Sequence, residues 1–216
     1  MNVETLTCQA SDLKPLSTAE VARLLSKDKH PRSFIPPKLA QQIELTIEQY
    51  RPLLEPRAVY TVLEPNTLPN RPCFVGVKVV GLAICTIGPA LPRKVQELMG
   101  EGQLSKGVTL DAVGSVFVEA LADKVDGLLG EKARELGLVH SRRFSPGYCG
   151  WSVVDQQLFF TALPADSIGV TLSNSYLMDP VKTVTFAKNF SPDLSSVPWN
   201  NRCRSCAEDR CSYRCE

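Results

Sequence analysis

The chain has 216 residues, 44% of them apolar, which suffices for one sizeable domain and is too little for two full catalytic domains. Its 24 basic and 23 acidic side chains leave a formal charge of +1, so no strong electrostatic attraction to nucleic acid or anionic membrane is expected. With two histidines, His30 and His140, a site built on a cluster of imidazoles is excluded.

The elements follow in chain order. Residues 1–35 are polar and mixed, with a short helix beginning at Ser17 or Thr18 as N-cap. Residues 38–50 place Leu39, Ile43 (or Gln42), Ile47 and Tyr50 on one side of an amphipathic helix that Pro52 ends. Residues 57–63 are β-branched and aromatic and predict a strand. Residues 65–72 form a loop, and residues 75–80 and 82–87 read as strand segments around Gly81. A turn at Gly88 and Pro89 precedes a short helix over 93–99.

The longest helical pattern covers 109–136, pausing at Gly130 or running through, with Gly137 as the stop signal. Its small residues Ala112, Gly114, Ser115, Ala120 and Ala122 suit close packing first, and ligand access second. A loop at 142–151, a helix at 154–163 and strands at 169–172 and 181–187 complete the pattern. Strands do not alternate regularly with helices, which favours an α+β domain with a mainly antiparallel sheet over a doubly wound one. We divide the chain into a helical segment packed on the main domain (1–54), that domain (55–190) and a cysteine-rich tail (191–216). The longest apolar stretch, 73–87, is interrupted by Lys78, so no bilayer span is expected. The N-terminus lacks the basic and apolar regions of a signal peptide, so the expected compartment is the cytoplasm.

Arg143, Phe144, Ser145, Pro146, Gly147 and Tyr148 are the leading functional stretch. Arg143 offers a fork of donors suited to a carboxylate. Pro146 before Gly147 favours a tight turn that presents Ser145, Gly147 and Tyr148 to a small zwitterion bearing an aromatic base. Taken alone, the six residues are better read as an ordinary surface turn. Their surroundings change that. The stretch resembles the S-adenosylmethionine-binding turn, Arg-x-x-Pro-Gly-Tyr, of the activation domain of cobalamin-dependent methionine synthase. Residues 168–178 with Pro180 and 184–186 resemble a second block of that family. Residues 83–88 and 110–119 are similar to its stand-alone, single-domain version. The likeness spans residues 55–190 in order.

The resemblance implies that Arg143 binds the methionine carboxylate, Ser145 and Gly147 offer backbone contacts, and Tyr148 lines the ligand. Glu119 matches an acidic contact of the family, with a solvated helix acid as an equal alternative. It also implies a role as reactivation component: one-electron reduction of an oxidised corrinoid, trapped by methyl transfer from S-adenosylmethionine. Asp28, His30 and Ser33 approximate the cobalamin motif Asp-x-His-x-x-Gly, but Ser33 replaces the glycine. Cobalamin is therefore expected on a separate methyltransferase or corrinoid protein, with flavodoxin or ferredoxin as a candidate electron donor.

Of eight cysteines, Cys203, Cys206, Cys211 and Cys215 fall in the last 14 residues, a spacing compact enough for one metal centre. Thiolates suit zinc or an iron–sulfur cluster, and the crowding favours the cluster; free or disulfide-linked thiols are the third option. Cys73 and Cys85 read as small core residues, and Trp151 as packing. Two other functions are kept in view. One is a metal-binding interaction module that docks on a corrinoid protein without using S-adenosylmethionine. The other is an independent methyltransferase, which the lack of a glycine-rich turn between strand and helix disfavours.

Overall fold

The computed structural model describes residues 3–26, 34–193 and 195. Its strands are β1 (Val3–Thr7), β2 (Arg57–Leu63), β3 (Val79–Thr86), β4 (Val139–His140), β5 (Thr171–Leu172), β6 (Met178–Asp179) and β7 (Thr183–Ser191). Five of them form one sheet in the order β1-β2-β3-β7-β4, antiparallel at every step, while β5 and β6 make a separate ribbon. The helices are α1 (Thr18–Leu25), α2 (Pro37–Tyr50), α3 (Ala90–Gly100), α4 (Leu104–Glu135) and α5 (Gln156–Ala162). The domain is thus α+β, with α1, α2 and α3 packed on α4 and α4 packed on the sheet.

Both faces of the sheet are buried, which explains the nearly unbroken apolar run of β3. Side chains alternate along a strand. Ala83 and Cys85 enter the α4 core with Tyr60, Leu129 and Phe186. Val80, Leu82 and Ile84 enter the opposite core with Val59, Trp151 and Phe159. Gly81 does not divide the strand as the sequence suggested. It lets α4 approach: a Cβ there would lie 3.1 Å from Leu129 Cδ2 and 3.2 Å from the Phe190 ring. Residues 75–78 lie outside the strand, where Gly76 turns the chain at φ +76°.

Other boundaries differ for local reasons. β1, an edge strand whose residues are only partly buried or exposed, carries no strong apolar alternation and escaped the sequence reading. It makes residues 3–7 part of the sheet, so the N-terminal segment is not only helical. Ser17 caps α1, its Oγ accepting the Glu20 N–H at 3.3 Å. α4 runs through Gly130 and stops at Gly137, whose φ is +67°. There Gly137 N–H donates to the Arg134 carbonyl at 3.0 Å and Leu138 N–H to that of Ala133 at 2.9 Å. These two bonds satisfy carbonyls that the helix end would otherwise leave open. No helix among the described residues is long and apolar enough to cross a membrane.

Replacing Gly81 with valine is expected to cost about 1–3 kcal/mol, because methyls are forced into a filled contact. Urea denaturation measures it, and an unchanged midpoint would contradict the packing described.

Candidate functional site

α4 is buried along most of its length, yet Asp111, Ser115, Glu119 and Asp123 recur every fourth residue and share one side of it. Ser115, Glu119 and Asp123 line a cavity of about 360 Å³. Its other walls come from the N-terminal segment (Lys14, Glu20, Arg23), from the 143–148 turn (Arg143, Tyr148) and from the entry to β7 (Lys182, Thr183).

Arg143 crosses to the helix. Its Nη2 donates to Glu119 Oε2 at 2.7 Å, and its Nη1 lies 2.9 Å from Asp123 Oδ1. The second contact balances charge but lacks hydrogen-bond direction, so Nη1 is buried without an acceptor. Below, the guanidinium carbon sits 5.7 Å from the centre of the Phe186 ring on β7, within cation–π reach. Asp123 also receives Lys14 Nζ at 2.6 Å. Crowding raises the Glu119 carboxyl above the usual range through desolvation; Arg143 pulls it back, while Asp123 and Glu20 push it further up.

The turn that presents Arg143 is fixed from behind. Phe144 bridges to Ala187 of β7, with paired bonds of 3.0 and 2.8 Å. Tyr148 N–H donates to the Ser145 carbonyl at 3.3 Å, with Pro146 and Gly147 between and φ +88° at Gly147, as a type II turn requires. Gly147 N–H is committed to the Trp151 carbonyl at 2.7 Å. The Trp151 ring is buried among Phe74, Phe144 and Phe159. Its indole N–H donates to Asp155 Oδ2 at 2.7 Å, and Arg71 holds both oxygens of that carboxylate at 2.8 Å. The Arg71 hydrogen bonds lower the Asp155 carboxyl below the usual range; burial opposes this, and Trp151 adds to it.

The fold therefore brings Glu119, Arg143 and Tyr148 to one cavity. Ser145 and Gly147 shape the turn and do not line that cavity. Sequence reading did not select Asp123 or Lys182. Asp123 was one helical turn beyond Glu119, a signal within reach, whereas nothing local marked Lys182. Cys85 is buried beneath the site, where desolvation raises its thiol; Cys73 is pushed up to about 12 by burial. Neither resembles a reactive thiolate. Cys203, Cys206, Cys211 and Cys215, like Asp28, His30 and Ser33, lie outside the described residues. Among the described residues, no three His, Cys, Asp or Glu side chains are grouped as metal ligands would be.

Because the folded Asp155 value is depressed, its stabilisation is complete above the ordinary aspartate value of about 4 and is lost as pH falls through the lower folded value. Asp155→Asn should lower the thermal midpoint near neutral pH and converge with the wild type in strong acid. Thermal melts across that range check it; a constant difference would contradict the assignment.

No family model matches the sequence, and no curated protein does. Among solved structures, the crystal structure of the MetH reactivation domain bound to AdoHcy is similar, with a TM-score of 0.66 at 13% identity. The match covers 89% of this chain and 79% of that one. At such low identity the likeness speaks for the architecture, and the chain has the fold of the MetH reactivation domain.

Proposed function

We propose that this chain binds S-adenosylmethionine in the α4 cavity and supports reductive remethylation of a cobalamin-dependent methyltransferase, with methionine synthase the first candidate. The observation that carries this reading is the meeting of Glu119, Arg143 and Tyr148 at one cavity, in a fold whose solved neighbour holds AdoHcy. The volume of about 360 Å³ falls within the range of small-ligand pockets, roughly 300–1,000 Å³.

The residues fit the ligand. Arg143 reaches the cavity wall beside Glu119 and Asp123, and its guanidinium is the cavity group best suited to pair with a ligand carboxylate. Glu119, Asp123 and Glu20 supply negative charge for an ammonium or sulfonium. Tyr148, half exposed, supplies an aromatic wall. S-adenosylmethionine supplies the electrophilic methyl group when bound. The chain's part is to bind and orient it, which requires no base or nucleophile. Cobalamin then belongs to the partner, a methyltransferase or corrinoid protein, and the electron comes from a donor of flavodoxin or ferredoxin type. A cluster or zinc on Cys203, Cys206, Cys211 and Cys215 extends this proposal.

One observation favours a second reading, a docking module that does not use S-adenosylmethionine. Arg143 already has two carboxylates close by, so its role can be purely structural.

Calorimetry separates the two. The wild-type protein is expected to bind S-adenosylmethionine, and Arg143→Ala to weaken it by about tenfold or more, the loss of a charge-assisted hydrogen bond. Comparable thermal melts of the two proteins would show that the loss is local. Unchanged affinity in a folded Arg143→Ala protein would contradict the site. For the tail, anaerobically purified protein should be brown and contain iron; a colourless, zinc-containing protein would decide for zinc, and metal-free protein would remove the centre.

A further inference from the structure

Lys182 immediately precedes β7, and its backbone is fixed: its carbonyl accepts the Ile87 N–H at 3.3 Å and the Thr86 hydroxyl at 3.5 Å. Its side chain is 12% exposed and lines the cavity. The ammonium lies 2.8 Å from Asp111 Oδ1 and donates to Ser115 Oγ at 2.8 Å. Ser115 in turn donates to the Asp111 carbonyl at 3.1 Å, which orients its oxygen lone pairs for Lys182. A lysine ammonium has three donors, and these two contacts use two of them.

Two of the cavity's basic side chains, Lys182 and Arg143, meet α4 at different heights. Lys182 meets the helix at Asp111 and Ser115; Arg143 meets it at Glu119 and Asp123. Ser115 and Asp123 differ by eight positions, a rise of about 12 Å along the axis. The Arg143 end gathers Glu119, Asp123, Glu20 and Lys14, a set of both signs that suits a zwitterion. The Lys182 end is a neutralised pair with one donor left, which suits an uncharged group rich in acceptors. An amino acid matches the first environment, and ribose with adenine matches the second.

We propose that Lys182, positioned by Asp111 and Ser115, is the binding residue for the nucleoside half of the ligand, while Arg143 and its carboxylates take the amino-acid half. This rests on the S-adenosylmethionine reading and assigns the direction in which the molecule lies along α4.

Competition against radiolabelled S-adenosylmethionine tests it, with two fragments as probes. Methylthioadenosine carries the nucleoside without the amino acid; S-methylmethionine carries the amino acid and sulfonium without the nucleoside. Lys182→Met should weaken methylthioadenosine by about tenfold and leave S-methylmethionine within about twofold. Arg143→Ala should do the reverse. Ser115→Ala, which keeps the ion pair, should give a smaller loss for methylthioadenosine alone, and it carries the test if Lys182→Met does not fold. Equal losses for both fragments, or none, in folded Lys182 and Ser115 variants would overturn the assignment while leaving the parent reading intact. Absence of S-adenosylmethionine binding by the wild type would overturn both.

Discussion

The ion contact between Arg143 and the polar side of α4 organises the site. The guanidinium spans from the Phe186 ring of β7 to Glu119 and Asp123 of α4, so one side chain ties sheet to helix at the mouth of the cavity. With Glu119 nearly half exposed, the pair contributes little to stability, on the order of 1 kcal/mol or less. Its importance is positional. It holds the guanidinium at the cavity wall, where two carboxylates of α4 fix its orientation.

That position depends on two unequal supports. Behind the turn lies a closed structure: the Phe144 bridge to β7, the Trp151 ring in its aromatic cluster, and the doubly bonded Asp155–Arg71 pair. In front, the N-terminal segment lines the cavity, and its Lys14 meets Asp123 in a contact where both side chains are well exposed. Salt screens such a contact and leaves the buried cluster almost untouched. The aromatic side sets where Arg143 points, and the N-terminal side, anchored by Val21 and Ala22 in the α4 core, supplies the opposite wall.

Much of this was legible in the sequence. The apolar spacing of α4, the branched run of β2 and the Pro-Gly turn each have a local cause and fall near where their residues predict. The fold of the MetH reactivation domain agrees with the resemblance drawn from residues 55–190. What escaped is non-local. β1 exists because β2 offers an edge, and its own alternation is weak. Gly81 looked like a break because its role, admitting Leu129 and Phe190, is set by residues distant in sequence. Lys182 is ordinary until α4 supplies Asp111 and Ser115. For Ser145 and Gly147, the turn geometry commits the Ser145 carbonyl to Tyr148 and the Gly147 N–H to Trp151.

Holding a methyl donor is separate from the cobalt chemistry proposed for a partner, and Arg143 is the proposed partner of the ligand's carboxylate. The most direct measurement follows the Arg143 guanidinium resonance by nuclear magnetic resonance as S-adenosylmethionine is titrated in. The account predicts a saturable shift of that resonance together with those of Glu119, Tyr148 and Lys182. Saturable binding that leaves the Arg143 resonance unmoved would contradict it.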